Sequence, residues 1–92
     1  MKPFKFKAFG QTWKVKISKT HAQIKNNFGY LDEDNNIIYI TPDATEEQQR
    51  STLLHEIIHL VSMANGLNLS EHSVLVLEAG LFGCYNGNNM TI

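Results

Sequence analysis

The residues with the clearest chemical content are His55-Glu56-Ile57-Ile58-His59. Residues four apart in a helix lie on one face, so a helix here turns His55 and His59 the same way, one turn apart. Both imidazoles can then offer a nitrogen to a single zinc ion at about 2.0–2.1 Å. Glu56 stands about 100° further round the helix. That is too far round for a natural third ligand but within reach of a water held by the ion. The spacing supplies two ligands and a general base. Zinc lowers the pKa of its bound water towards ~7. Glu56 takes the proton as that water attacks a peptide carbonyl, then passes it to the leaving amine. Two histidines on a helix are otherwise ordinary surface or core residues. Against a chance match stand a helix pattern independent of the motif, the apolar flanks Leu53-Leu54 and Leu60-Val61, and a hairpin before the helix.

A catalytic zinc site needs a third protein ligand and an open position for water. Three residues after the motif are candidates. Glu78 follows His59 after eighteen intervening residues, and an antiparallel helix pair turning near residue 67 sets it opposite residue 57. It is also a lone carboxylate in an apolar run, a costly placement unless it is paired or bound; otherwise it sits on an exposed helix face. Glu71 opens the second helix, where the chain can return to the ion, although an acid in a first turn needs no metal to explain it. His72 is the third, and a surface histidine is its ordinary alternative.

The elements that must position these residues are legible as patterns. Residues 2–9 and 12–18 alternate, with Phe4, Phe6 and Ala8, then Trp13, Val15 and Ile17, on one face and lysines on the other. Gly10-Gln11 lies between, which predicts a β-hairpin. Residues 20–27, with His21 and Ile24, read as a loop or a short helix. Phe28–Leu31 and Ile37–Ile40 flank a turn-forming Asp32–Asn36, a second hairpin. Thr45 with Gln48 forms a capping-box pattern, and Leu53, Ile57, Leu60, Val61 and Ala64 recur at helical spacing, so a helix is predicted over 45–64, stopped by Asn65-Gly66. Ser70 is a good N-cap for a second helix over 70–85, ended by Asn86–Asn89. Residues 74–84 are apolar nearly all round except Glu78, so that helix is buried on more than one side or meets a partner. The expectation is one α+β domain over 1–92: residues 1–41 mainly β, a small antiparallel sheet of two hairpins, packed on a helix pair with the motif on the first long helix.

Composition sets the bounds. Ninety-two residues, 42% of them hydrophobic, allow one thin core, which a bound metal can reinforce. The single cysteine, Cys84, rules out an internal disulfide and fits a reducing compartment. No apolar h-region and no membrane-length apolar run is present, so a cytoplasmic protein with no membrane partner is expected. Lys2, Lys5, Lys7, Lys14, Lys16, Lys19 and Lys25 are seven of the eight basic residues, and all nine acidic residues lie at Asp32 or later. A solvated lysine face that discourages edge pairing explains this better than a nucleic-acid surface does.

With Gly66–Glu71, Val74, Leu77 and Gly80–Phe82, the motif resembles short phage- and prophage-encoded zincin-like proteins labelled as metallopeptidases and similar to a minimal ImmA/IrrE-type or SprT-type domain. Gly29-Tyr30 and Ile37–Ile40 match the strand-turn-strand before that family's helix, and the resemblance covers about residues 28–85. It implies a zinc peptidase. Its shared acid matches Glu71, Glu78-Ala79 with Phe82 resembles the ImmA/IrrE glutamate segment, and His72 matches the spacing of the SprT third histidine. The family favours Glu71, with Glu78 nearly level on geometry.

Three functions are therefore weighed. The first is a Zn2+-dependent endopeptidase acting on a protein or peptide laid beside an edge strand, the one containing Tyr39, with Tyr30, Tyr39 and Tyr85 as oxyanion candidates or packing residues. The second is a non-catalytic, metal-stabilised module that binds a host or phage protein. The third, ranked last, is a nucleic-acid protein using the lysine face. Oligomeric state is left open by the sequence.

Overall fold

The computed structural model describes residues 1–22 and 28–87. Strands β1 (Phe4–Ala8) and β2 (Gln11–Ile17) pair as an antiparallel hairpin. Phe9 and Gly10 close it, with φ of 53° and 74°. Two left-handed residues are what a tight hairpin turn of this twist requires, so the turn falls one residue before the expected Gly10-Gln11. Helix α1 (Lys19–Ala22) follows. It accounts for the start of the ambiguous 20–27 stretch; Ile24 lies outside the described residues, as do Asn88 and Asn89.

Strands β3 (Gly29–Asp32) and β4 (Ile37–Ile40) form the second hairpin. Asp32 closes its turn, accepting hydrogen bonds from the Asn35 backbone N–H at 3.3 Å and side-chain amide at 3.0 Å. The four strands join in the order β1-β2-β4-β3. The sheet is mixed rather than antiparallel as expected, because β4 pairs with β2 in parallel. The chain leaves β2 and passes through α1 and β3 before it returns in β4, which then runs alongside β2 in the same direction. The pattern of β4 suits this place. Ile38, Tyr39 and Ile40 are all buried, as suits a strand flanked on both sides by others, and β3 becomes an edge.

Helix α2 (Glu46–Ala64) starts on a complete capping box, Thr45 accepting from the Gln48 N–H while the Gln48 side chain accepts from the Thr45 N–H. It ends at Asn65, and Gly66 takes a left-handed φ of 64°. Helix α3 (Glu71–Gly87) is capped by Ser70, which accepts from the Ser73 N–H at 3.1 Å. α2 carries two apolar stripes. Leu53, with Ile57 beside it, packs on Val15, Ile38 and Ile40 of the sheet. Leu54 and Ile58, about 100° round, pack on Val74 of α3, with Leu69 and Phe82 at the rim. Burying both stripes leaves a third sector of α2, carrying the two histidines, open to its neighbours' polar groups. On the outer sheet face Lys5, Lys7, Lys14 and Lys16 are exposed. No described helix is long and apolar enough to cross a membrane.

Candidate metal centre

His55, Glu56 and His59 lie in the middle of α2, and packing fixes where each points. The neighbours Leu54 and Ile58 face α3, so His55 and His59 lie next to that interface, with ring centroids 4.9 Å apart and edge-on. Glu71, on the first turn of α3, spans them. One carboxylate oxygen is 2.8 Å from His55 Nε2 and the other 3.0 Å from His59 Nε2. These three side chains can each bring a donor atom within 4.8 Å of the others. Glu71 reaches in from an exposed position, 62% accessible, whereas His55 is buried.

Glu78 lies two turns along α3, on the same face as Glu71. It meets His55 from the other side, Oε1 2.9 Å from Nδ1, and its Oε2 accepts a hydrogen bond from Ser51 Oγ at 3.2 Å. Its side chain is 18% accessible. The two acids expected to compete for one role therefore occupy two different places around the same imidazole. His72 is exposed and outside the donor group.

The donor chemistry tests whether an ion belongs here. A neutral imidazole carries one N–H, yet carboxylate oxygens face both nitrogens of His55. It can donate to only one of them. A cation between Nε2 and Glu71 satisfies the other pair without a second proton. Two imidazole nitrogens and one carboxylate are also a set that zinc takes, leaving a fourth position open. The donors fit a metal.

Glu56 is 4% accessible and turns towards the edge strand. Gly29 permits that approach: a Cβ there would stand 2.5 Å from Thr52 Cγ2, 3.2 Å from the Tyr39 carbonyl oxygen and 3.5 Å from Glu56 Cγ. This role of Gly29 was invisible in the sequence, where it reads only as a strand start. A hollow of about 310 Å³ opens over this side, between Tyr30, Leu31 and Glu33 of the second hairpin and the side chains of His55, Glu56, His59 and Glu71.

Tyr39 is not placed for the role expected of it. Ile38 and Ile40 face α2, so Tyr39 faces the opposite side of the sheet, where it stacks on Tyr30 at 6.1 Å. Its strand is interior, with both edges paired. The edge strands are β1 and β3, and β3 is the one that packs beside α2. The Thr41 N–H donates to the Phe28 carbonyl at 2.8 Å, and by the alternation of an antiparallel ladder Leu31 turns its peptide groups to that edge. Tyr30 borders the hollow, but its ring lies with that of Tyr39 on the sheet face away from α2; the side chain of Tyr85 lies outside the described residues.

Residues 3–79 match the family described as "Putative metallopeptidase family (DUF6782)". No curated protein and no solved structure matches the chain.

Proposed function

The chain belongs to that metallopeptidase family, and from this and the donor geometry we propose that it is a zinc-dependent peptidase. His55, His59 and Glu71 are the metal ligands and Glu56 is the general base. The observation that carries the reading is the convergence of two Nε2 atoms on one carboxylate, at 2.8 and 3.0 Å, one residue from a buried acid. When bound, zinc supplies a Lewis acid that polarises a carbonyl and makes a water acidic near neutral pH. The chain supplies the rest. Glu56, held against Gly29, takes a proton from the attacking water and delivers it to the leaving amine. Its burial keeps bulk water from competing for that proton. The peptide substrate adds as a strand to the free edge of β3, bonding to Leu31, and so passes across the hollow above Glu56. The same reading, on the residues after the motif, makes the chain a cytoplasmic, phage-type relative of minimal ImmA/IrrE and SprT domains.

The test is Glu56→Gln. Zinc content measured by mass spectrometry of the metal should stay at the wild-type level, while cleavage of a peptide library is lost. Undiminished cleavage by that variant overturns the assignment.

One observation favours a second reading, a metal-stabilised binding module: Val76, Leu77 and Leu81 leave an apolar face of α3 exposed. In that case Glu56→Gln leaves partner binding intact and wild-type protein cleaves nothing.

A further inference from the structure

We infer that Glu78, held by Ser51, is a positioning residue that fixes the proton of His55 on Nδ1 and so presents Nε2 to the metal. The inference rests on the metal reading above and goes beyond it, separating the two acids of α3 into different jobs.

The argument starts from the ring. His55 meets Glu71 through Nε2 and Glu78 through Nδ1. His59 Nε2 also faces Glu71, so the Nε2 side is where donors from two helices converge, while the Nδ1 side meets Glu78. The neutral imidazole that ligates a metal has a single N–H, which goes to one of the two acids. Metal-ligating histidines commonly give their second N–H to a carboxylate, which orients the ring and raises its basicity. Glu78 is built for that task. Its Oε2 is occupied by Ser51 Oγ, one turn before His55 on α2, so the carboxylate cannot swing away from the ring without losing a second bond. It is also much less exposed than Glu71, at 18% against 62%. A partly buried acid makes a strong, persistent hydrogen bond to a ring N–H, whereas an exposed one at a helix start can shift to accommodate an ion. The lone carboxylate in the apolar run of α3 is thereby explained without making it a ligand.

Four readouts test this on the full-length protein: zinc affinity by competition with a chromophoric chelator, the visible spectrum of the Co2+ form, the His55 tautomer by long-range 1H–15N correlation, and circular dichroism for folding. For Glu78→Ala, zinc affinity should fall about 10–100-fold while the Co2+ spectrum keeps its four-coordinate intensity. In the metal-free wild type the proton should sit on Nδ1, and Glu78→Ala should shift it towards a tautomer mixture. Glu78→Gln keeps an acceptor and should lose less; it also serves if the alanine variant does not fold. Ser51→Ala should weaken affinity in the same direction by a smaller factor. Glu71→Ala, by contrast, should change the Co2+ spectrum itself. Unchanged affinity and tautomer in both Glu78 variants would overturn the inference. So would a Co2+ spectrum altered by Glu78→Gln but not by Glu71→Ala, since Glu78 would then be the ligand. Wild-type protein that takes up no metal at all would instead overturn the underlying metal reading, and is told apart because no variant is involved.

Discussion

Replacing Gly29 with alanine puts one methyl group into the seam between β3 and α2. It would stand 2.5 Å from Thr52 Cγ2 and 3.2 Å from the Tyr39 carbonyl oxygen, both closer than ordinary carbon contacts of about 3.5–4.0 Å. Thr52 Cγ2 belongs to a short β-branched side chain whose χ1 is restricted in a helix, and the carbonyl is in an interior strand, so neither yields freely. Overpacking of this kind costs about 1–3 kcal/mol. Gly29 is not among the glycines with positive φ, so alanine also restricts the unfolded chain and returns about 0.4–1 kcal/mol. The net expectation is destabilisation by about 1–2 kcal/mol, a fall in melting temperature of about 4–8 °C per kcal/mol for a domain of this size. Thr52→Ser removes the offending Cγ2. The double variant should therefore recover about 1 kcal/mol relative to the sum of the singles, a coupling well above the usual additivity error of about 0.3–0.5 kcal/mol. Urea denaturation of the four proteins in the presence of chelator measures this apart from any metal effect. Because the strand must move away from Glu56, cleavage should also fall in Gly29→Ala and return partly in the double variant. A stable Gly29→Ala protein, or additive singles, would refute the claim that this glycine sets the distance between edge strand and general base.

Other outcomes follow from the same geometry. Glu56→Gln should reduce cleavage about 10²–10⁴-fold, the usual worth of a positioned acid–base group, with bound zinc unchanged by metal analysis. Zinc at 100 times its dissociation constant should raise stability by about 2.7 kcal/mol; thermal melts with and without chelator read this, and Glu71→Ala should abolish most of the difference. Thr45→Ala removes half of the capping box at the start of α2 and should cost about 1 kcal/mol in denaturation, leaving zinc affinity intact because the histidines lie more than two turns away.

The helices were legible because local rules decide them. Thr45 with Gln48 starts α2 and Asn65-Gly66 stops it, and both ends are written in residue types whose capping chemistry needs no tertiary contact. The first hairpin was legible from alternation and the second from the turn composition of Asp32–Asn36. The pairing of β2 with β4 was not. Nothing in either strand specifies which neighbour it takes, and parallel and antiparallel partners present the same alternating faces. The apolar run Ile37–Ile40 does imply an interior strand, and an interior β4 pushes Tyr30 and Leu31 to the edge. That inference depends on the whole sheet, and without it the substrate edge was assigned to the strand of Tyr39.

The third ligand shows a different limit. The resemblance favoured Glu71 and spacing brought Glu78 nearly level; in the fold both reach His55, being seven residues apart on α3, two turns on one face. A one-dimensional reading can find that both acids reach His55. It cannot find from which side, since that depends on the rotation of one imidazole between two helices. In the fold the two nitrogens of that ring meet the two acids separately, Nε2 facing Glu71 and Nδ1 facing Glu78. Glu71 shares its carboxylate between His55 and His59, so removing it breaks a convergence of three donors, whereas removing Glu78 loosens one ring. The two losses differ in kind, and the Co2+ spectrum separates them: a ligand changes the spectrum, while an orienting acid changes the affinity and leaves the coordination intact.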